Sequence, residues 1–156
     1  MTETTRSRAA ALVGLALALL GSAPRTLVAQ AAQAAQAAQG FVIVAHPALS
    51  VDAVEKSVVQ RVFLKQVSKL GRTRVTPVDQ HLGAPVREAF ARQVVHQPLI
   101  EVRRYWQQQL WSGGELPPET RTSDEEVLEF VRTTPGGIGY VSAAADTFGV
   151  KVIRLK

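Results

Sequence analysis

The 156-residue chain contains no cysteine. This absence excludes disulfide bonds, thiolate metal ligands and a cysteine nucleophile, and it excludes the lipid-modified cysteine of a bacterial lipoprotein. Aromatic residues amount to only 6% of the chain and charged residues to 20%. With 46% hydrophobic residues, the composition is typical of one soluble globular domain and excludes a disordered or collagen-like chain.

No apolar run in the sequence is long enough to cross a bilayer, which requires about 20 residues. The longest run, within residues 9–20, follows two arginines and precedes a group of small residues. This order of basic, apolar and small residues is typical of a secretory signal peptide. We therefore expect residues 1–31 to be a signal peptide. The mature protein would then be periplasmic or secreted, and not an integral membrane protein.

The segment that follows has low complexity. Residues 31–39 repeat Ala-Ala-Gln three times without glycine, proline or charge. A helix this short is only marginally stable in water when isolated, so we interpret residues 32–40 as a linker. The folded domain is then expected over residues 41–156.

The pattern of this domain predicts alternating strands and helices. Strands are expected at 41–45, at 73–78, where Pro77 indicates an edge or an early end, and at 138–141 and 150–155. Helices are expected after a Ser50 cap, from 83–85 to Pro98, over 101–110, and after a capping box of Ser123 and Glu126. This alternation predicts a three-layer α/β lobe. Three aromatic residues are expected in the core or at its rim, namely Tyr105, Trp106 and Trp111.

No constellation predicts an enzyme, a metal site or a cofactor. The histidines lie on three separate segments without ligand spacing, at positions His46, His81 and His96. Ser112 and Ser142 do not lie in a Gly-x-Ser-x-Gly motif. The glycines from Gly136 to Gly139 precede a strand, which is the reverse of a phosphate loop and indicates a turn with close packing.

Basic residues exceed acidic ones, with a formal net charge of +5. No aromatic-interleaved basic patch accompanies that excess, so nucleic acid is not an expected partner. One basic series is notable and comprises Lys56, Arg61, Lys65, Lys69, Arg72 and Arg74. It indicates either a solvated face or contact with an acidic partner or an anionic membrane surface.

Several short motifs carry a family likeness. They are Phe63-Leu64, Val75-x-Pro-Val-Asp79, Gly83-x-Pro-x-Arg-Glu-x-Phe90, Tyr105-Trp106 and Pro135-Gly-Gly-Ile-Gly-Tyr-Val141. Together they resemble the second lobe of the phosphate-binding protein of bacterial ABC transporters, in its short "phosphate ABC transporter substrate-binding protein-like" form. The resemblance covers nearly all of residues 41–156. It implies a lobe of the type II periplasmic-binding-protein kind, with a mixed sheet and helices on both faces.

The same resemblance implies an oxyanion ligand, but the expected anion ligands are largely missing. In the family, the second lobe contributes an arginine and a Ser-Gly-Thr turn at a helix N-terminus. Those positions hold Asp79, Gly83, Ala84 and Pro85 in this chain. The substitutions remove a cation and two hydroxyl groups, and the Asp79 carboxylate is expected to repel an anion.

Any remaining anion contact is expected at the start of the second helix. Gly83, Ala84, Val86 and Arg87 are the candidate ligand-binding residues. The amides of Val86 and Arg87 would lie in the first helical turn without intrahelical acceptors, and the Arg87 guanidinium offers a forked donor.

We therefore expect an exported, non-enzymatic solute-binding-like domain related to phosphate or another oxyanion, with an ABC permease or an envelope protein as partner. One alternative is a cell-envelope protein-protein interaction module that binds no small ligand. Another is a homodimer that rebuilds a two-sided cleft around an oxyanion.

Overall fold

The structure is a computed structural model and describes residues 40–156. The expected signal peptide and all of the expected linker except Gly40 lie outside the described residues. No helix among residues 40–156 is long and apolar enough to cross a membrane.

The centre of the described chain is a mixed sheet of six strands in the order β2-β8-β1-β7-β5-β6, beside a separate β3-β4 hairpin. The strands are β1 Phe41–Ala45, β2 Ala53–Val54, β3 Lys69–Leu70, β4 Thr73–Arg74, β5 Thr76–Gln80, β6 Glu119–Arg121, β7 Gly137–Ser142 and β8 Lys151–Leu155. β1 runs antiparallel to both β7 and β8, whereas β5 runs parallel to both β6 and β7.

Helices cover both faces of this sheet. They are α1 Lys56–Phe63, α2 Pro85–Phe90 with a π-helical continuation Ala91–Val95, α3 Leu99–Trp111 and α4 Asp124–Thr133. Side chains alternate between the faces of a strand. Ile43 therefore joins a large core with α1, α2 and α3, while Val44 joins a smaller core with α4. The predicted three-layer α/β architecture, with a mixed sheet and helices on both faces, is confirmed.

An aromatic cluster fills the larger core. The Tyr140 ring of β7 stacks on the Phe90 ring of α2 with centroids 4.0 Å apart and planes inclined by 5°. Phe63 of α1 and Phe41 of β1 pack around the same Phe90 ring, with centroids 4.7 and 5.5 Å away. These contacts fix the Tyr140 side chain between the sheet and α2.

Two local predictions were only partly right. The helix expected after a Ser50 cap begins only at Lys56, since Ala53–Val54 instead forms β2 and pairs parallel with β8. The expectation of an edge or an early end at Pro77 was right for the edge, since Pro77 pairs with β7 alone, and wrong for the early end, since β5 continues to Gln80. β6 pairs only from Val78 onward, so the missing Pro77 donor does not interrupt that pairing.

The cap expected from Ser123 at α4 is confirmed, while Glu126 bonds one residue earlier than expected. The Ser123 hydroxyl accepts a hydrogen bond from the Glu126 amide at 3.2 Å. The Glu126 carboxylate accepts a hydrogen bond from the amide of Thr122, one residue before the cap, at 2.9 Å. The helix start is thus encoded by its own sequence, as the motif indicates.

The glycine turn before β7 has the packing role expected of it. Gly136 has a φ of +80°, and a Cβ atom there would lie 2.2 Å from the Arg74 carbonyl oxygen. At Gly139, a Cβ atom would lie 2.7 Å from a Val127 methyl group of α4 and 2.9 Å from one of Val78. Both glycines allow close approach of neighbouring elements.

We predict that Gly139→Ala lowers the free energy of unfolding by about 2 kcal/mol, because the added methyl overpacks the smaller core. Urea denaturation measures this change. Gly83→Ala is the matched control, since its nearest contact is an exposed His81 ring at 3.3 Å that can move aside. Equal destabilisation by the two substitutions would contradict the packing assigned to Gly139.

Candidate functional site

A groove of about 330 Å³ lies at the carboxyl end of β5, between this strand, the start of β6 and α3. Asp79 and Arg87 lie at this groove, between Leu99 and Trp106 of α3 and the Pro117-Pro118 loop. In open α/β sheets, the crevice outside the carboxyl ends of the strands is where ligands bind. The groove is therefore the candidate site.

An ion pair joins Asp79 of β5 to Arg87 of α2. The Arg87 Nη2 and Asp79 Oδ2 atoms are 2.7 Å apart, and the two side chains are only 12% and 14% exposed. The second guanidinium nitrogen, Nη1, donates a hydrogen bond to the Gln80 carbonyl oxygen. The Arg87 side chain is thus held by the end of the strand that precedes its own helix.

The other Asp79 oxygen is also occupied. Asp79 Oδ1 accepts hydrogen bonds from the Tyr140 hydroxyl and, at 2.8 Å, from the Gln80 amide. Burial raises the pKa of Asp79, while the Arg87 charge and these hydrogen bonds oppose that rise. Burial and the neighbouring carboxylate both raise the pKa of Tyr140, so its hydroxyl stays protonated and remains a donor.

A second polar cluster lies on the opposite face of the sheet, at the start of α4. Asp124 Oδ1 accepts a hydrogen bond from Gln80 Nε2 at 2.6 Å, and Asp124 Oδ2 accepts one from the Ser142 hydroxyl. The Ser142 amide also donates to Asp124 at 3.2 Å. Ser142 therefore bonds to a carboxylate at a helix start, and no histidine takes part in the hydrogen bonds of this cluster.

The candidate residues at the start of α2 make bonds within the chain. Gly83 N donates to the His81 ring at 3.2 Å, and Ala84 N donates to the His81 carbonyl oxygen at 3.1 Å. Val86 is buried in the larger core. The Arg87 amide was expected to lack an acceptor, but it donates to the Ala84 carbonyl oxygen at 3.0 Å. Much of this turn's donor capacity is therefore used internally.

Sequence reasoning missed the partners of Asp79. It treated the carboxylate as an isolated repelling charge, whereas Arg87 neutralises it and Tyr140 bonds to it. The apolar Gly-Ile-Gly-Tyr-Val motif gave no indication of a polar role for Tyr140. Only the pairing of β5 with β7 brings that hydroxyl to Asp79.

The structure also shows where the histidines and the tryptophans of the sequence analysis lie. Within residues 40–156, no group of three histidine, cysteine or acidic side chains is arranged to hold a metal ion. Trp106 is buried and borders the groove, as expected for a core aromatic residue. The expectation for Trp111 was wrong, because it lies at the last position of α3 and its side chain is 90% exposed.

No known protein-family profile matches the sequence, and no curated protein matches it. The fold, however, is similar to solved structures of phosphate transport proteins. A phosphate ABC transporter substrate-binding protein of Clostridium perfringens, described with bound phosphate, superposes with a TM-score of 0.58 at 14% identity. That similarity covers 74% of this chain and 44% of the Clostridium chain.

Two further structures show the same relation. PstS of Borrelia burgdorferi gives a TM-score of 0.57 at 10% identity and covers 75% of this chain and 47% of its own. An ABC-type phosphate transport receptor of Vibrio cholerae gives 0.53 at 13% identity, with 74% and 46% covered. The predicted likeness in fold to this class is confirmed, and the chain spans less than half the length of these three structures.

We predict that Arg87→Met lowers the free energy of unfolding by about 3 kcal/mol, because it leaves the Asp79 carboxylate buried without a cation. The double variant Asp79→Asn/Arg87→Met should be more stable than Arg87→Met, since it removes both charges. Chemical denaturation of the full set measures these differences.

Arg92→Met is the matched control, because Arg92 pairs with Glu88 on the surface, where both side chains are more than half exposed. An exposed pair of this kind contributes little to stability. Similar losses in Arg87→Met and Arg92→Met, or strict additivity of the Asp79 and Arg87 substitutions, would contradict the buried pair.

Proposed function

We propose that this chain is an exported, non-enzymatic, solute-binding-like domain whose anion ligands have largely been replaced. The groove at the carboxyl end of β5 corresponds in this proposal to the face that binds the solute. The fold likeness to phosphate transport proteins supports the class of protein. The single observation that carries the loss of anion ligands is the ion pair of Asp79 with Arg87.

That pair limits what the groove can bind. A bound anion would have to compete with the Asp79 carboxylate for the Arg87 guanidinium and would meet the same carboxylate as a repelling charge. Arg87 Nη1 also donates a hydrogen bond to the Gln80 carbonyl oxygen and is therefore not free to bind an anion. Apolar neighbours such as Leu82, Leu99 and Pro117 line much of the rest of the groove. Arg103 at its rim is exposed, so among the described residues it is the one further cation that an anion could meet there.

The depth of the groove supports the same conclusion. Tight small-molecule sites bury most of the ligand surface. The described lobe presents an open groove, and the solved neighbours are more than twice as long as the part they share with it. An isolated open groove would bury little of a small oxyanion, so we propose weak binding of phosphate and related ions.

The proposal places the protein in the periplasm or outside the cell. The order of residues in the first 31 positions supports export, and the class of the fold neighbours agrees with a role at the cell envelope. An ABC permease is the partner that this class implies.

A second candidate function is an interaction module that docks another envelope protein and binds no small ligand. It is favoured by exposed apolar side chains at the end of α3 and in the loop after it. Trp111 is 90% exposed and Leu116 is 63% exposed, which is unusual for large apolar residues of a monomer when they cluster.

Titration calorimetry with phosphate, sulfate and molybdate tests the proposal. We expect the parent chain to bind phosphate with a Kd of about 1 mM or weaker. Asp79→Asn should bind about tenfold more tightly, because it removes the repelling charge and frees the Arg87 guanidinium.

Asp146→Asn is the matched control, since it makes the same change of charge in an exposed loop and should leave the affinity unchanged. Sub-micromolar binding by the parent chain would overturn the loss of anion ligands. If no anion binds to the parent or to Asp79→Asn, the interaction module becomes the better account.

A further inference from the structure

The positive charge of the described chain is concentrated in one segment. Residues 56–78 contain six basic residues and no acidic one. The rest of residues 40–156 contains nine basic and twelve acidic residues, a net charge of −3. All of the positive excess of the described chain therefore lies in residues 56–78, which include α1, the loop with Lys65 and the β3-β4 hairpin.

None of these six cations is neutralised within the described residues. The ion pairs of residues 40–156 all use other basic residues, such as Arg87, Arg92 and Lys151. Five of the six side chains are exposed and the sixth is half-buried. We call Lys65, Lys69, Arg72 and Arg74, together with Lys56 and Arg61 of α1, the basic surface.

The β3-β4 hairpin holds like charges against each other. Lys69 and Arg74 are direct cross-strand partners, and Arg72 lies in the two-residue turn between the strands. Like charges directly opposite each other in an antiparallel pair destabilise it. Because no ion pair of the described residues includes these cations, an anionic binding partner would relieve this repulsion.

The adjoining groove has the matching chemistry. It has a volume of about 200 Å³ and is lined by Lys65 and Arg74, by the hydroxyl-bearing Ser68 and Thr76, and by one acid, Glu115. Hydroxyl and cationic donors of this kind suit phosphate oxygens. The groove therefore extends the basic surface inward from the hairpin.

We propose that the basic surface docks the lobe onto an anionic lipid bilayer. A bilayer presents many negative headgroups at once, so it can engage cations that are spread over a helix and a hairpin, whereas one small anion reaches only a few. The rest of the described chain carries a net charge of −3, so the attraction to such a surface comes from residues 56–78.

An acidic protein fits these observations less well. Stable protein interfaces bury apolar or aromatic residues at their centre. The large exposed apolar residues of the described chain all lie outside 56–78, at positions such as Leu82, Trp111 and Phe148. Residues 56–78 thus contribute exposed charge and no large exposed apolar side chain, which suits electrostatic attachment to headgroups.

The test is co-sedimentation of the full chain with vesicles of phosphatidylcholine containing about 30% phosphatidylglycerol, compared with vesicles of pure phosphatidylcholine. We expect binding only to the anionic vesicles and release by about 0.5 M NaCl, which screens the attraction. The combined variant Lys69→Gln/Arg72→Gln/Arg74→Gln should lose partitioning on the order of a hundredfold, because each cation contributes about a factor of five.

The control variant Arg92→Gln/Arg103→Gln/Arg104→Gln makes the same change of charge on exposed residues of the π-helix and α3. It should stay close to the parent chain. All variants keep residues 1–39, so any contribution of that segment is common to them. Urea denaturation verifies folding of the hairpin variant, and the single change Arg72→Gln in the exposed turn should show a smaller loss of the same sign.

Equal losses in the two triple variants would overturn the proposal, since net charge alone would then explain binding. Anionic-vesicle binding by the hairpin variant that equals that of the parent chain would overturn it as well. If soluble poly-glutamate binds more tightly than the anionic vesicles, the partner is an acidic polypeptide and not a membrane. No small ligand is used in this test, so its outcome is independent of the function proposed for the groove at the carboxyl end of β5.

Discussion

Asp79 and Arg87 form an almost completely buried ion pair at the end of β5. A buried charge is tolerated only when it is paired and hydrogen-bonded, and here Tyr140 and Gln80 complete the set around the carboxylate. The stacking of Tyr140 on Phe90 connects this polar group to the aromatic core. The pair therefore connects α2, β5 and β7, and it sets the charge that a ligand in the groove would meet.

The elements that the sequence predicted well are those with local causes. The apolar run of β1 forms a strand covered on both faces, and the Ser123 cap begins α4 through bonds made within four residues. β2 could not be predicted in this way. Its two residues continue the helical spacing of α1, and only their pairing with β8 at the other end of the domain makes them a strand.

The candidate site illustrates the same limit. The sequence indicated the start of α2 and the importance of Asp79 and Arg87. It predicted that Arg87 would attract an anion and that Asp79 would repel it, but not that the two residues pair with each other. Their attraction depends on the tight turn between β5 and α2, which aims the Arg87 side chain back at the end of the strand. The hydroxyl of Tyr140 comes from 61 residues further along the chain, so no local pattern could include it.

β5 also relates the two surfaces for which functions are proposed. The amino end of β5 lies beside Arg74 of the basic surface, and Thr76 at that end lines the smaller groove. The candidate ligand groove lies at the carboxyl end of β5. A strand of five residues spans about 17 Å, so the two surfaces are separated by roughly that length. Docking through the basic surface would involve none of the residues that line the groove at the carboxyl end of β5.

The central claim is that Arg87 is held by Asp79 in solution and is therefore not available to an anion. Nitrogen-15 NMR of the arginine guanidinium groups tests it most directly, with the exposed Arg92 as a reference in the same spectrum. The account predicts separate, slowly exchanging Nη signals for Arg87 in the parent chain and their loss in Asp79→Asn, while those of Arg92 remain averaged. Averaged Arg87 signals in the parent chain, indistinguishable from those of Arg92, would contradict it.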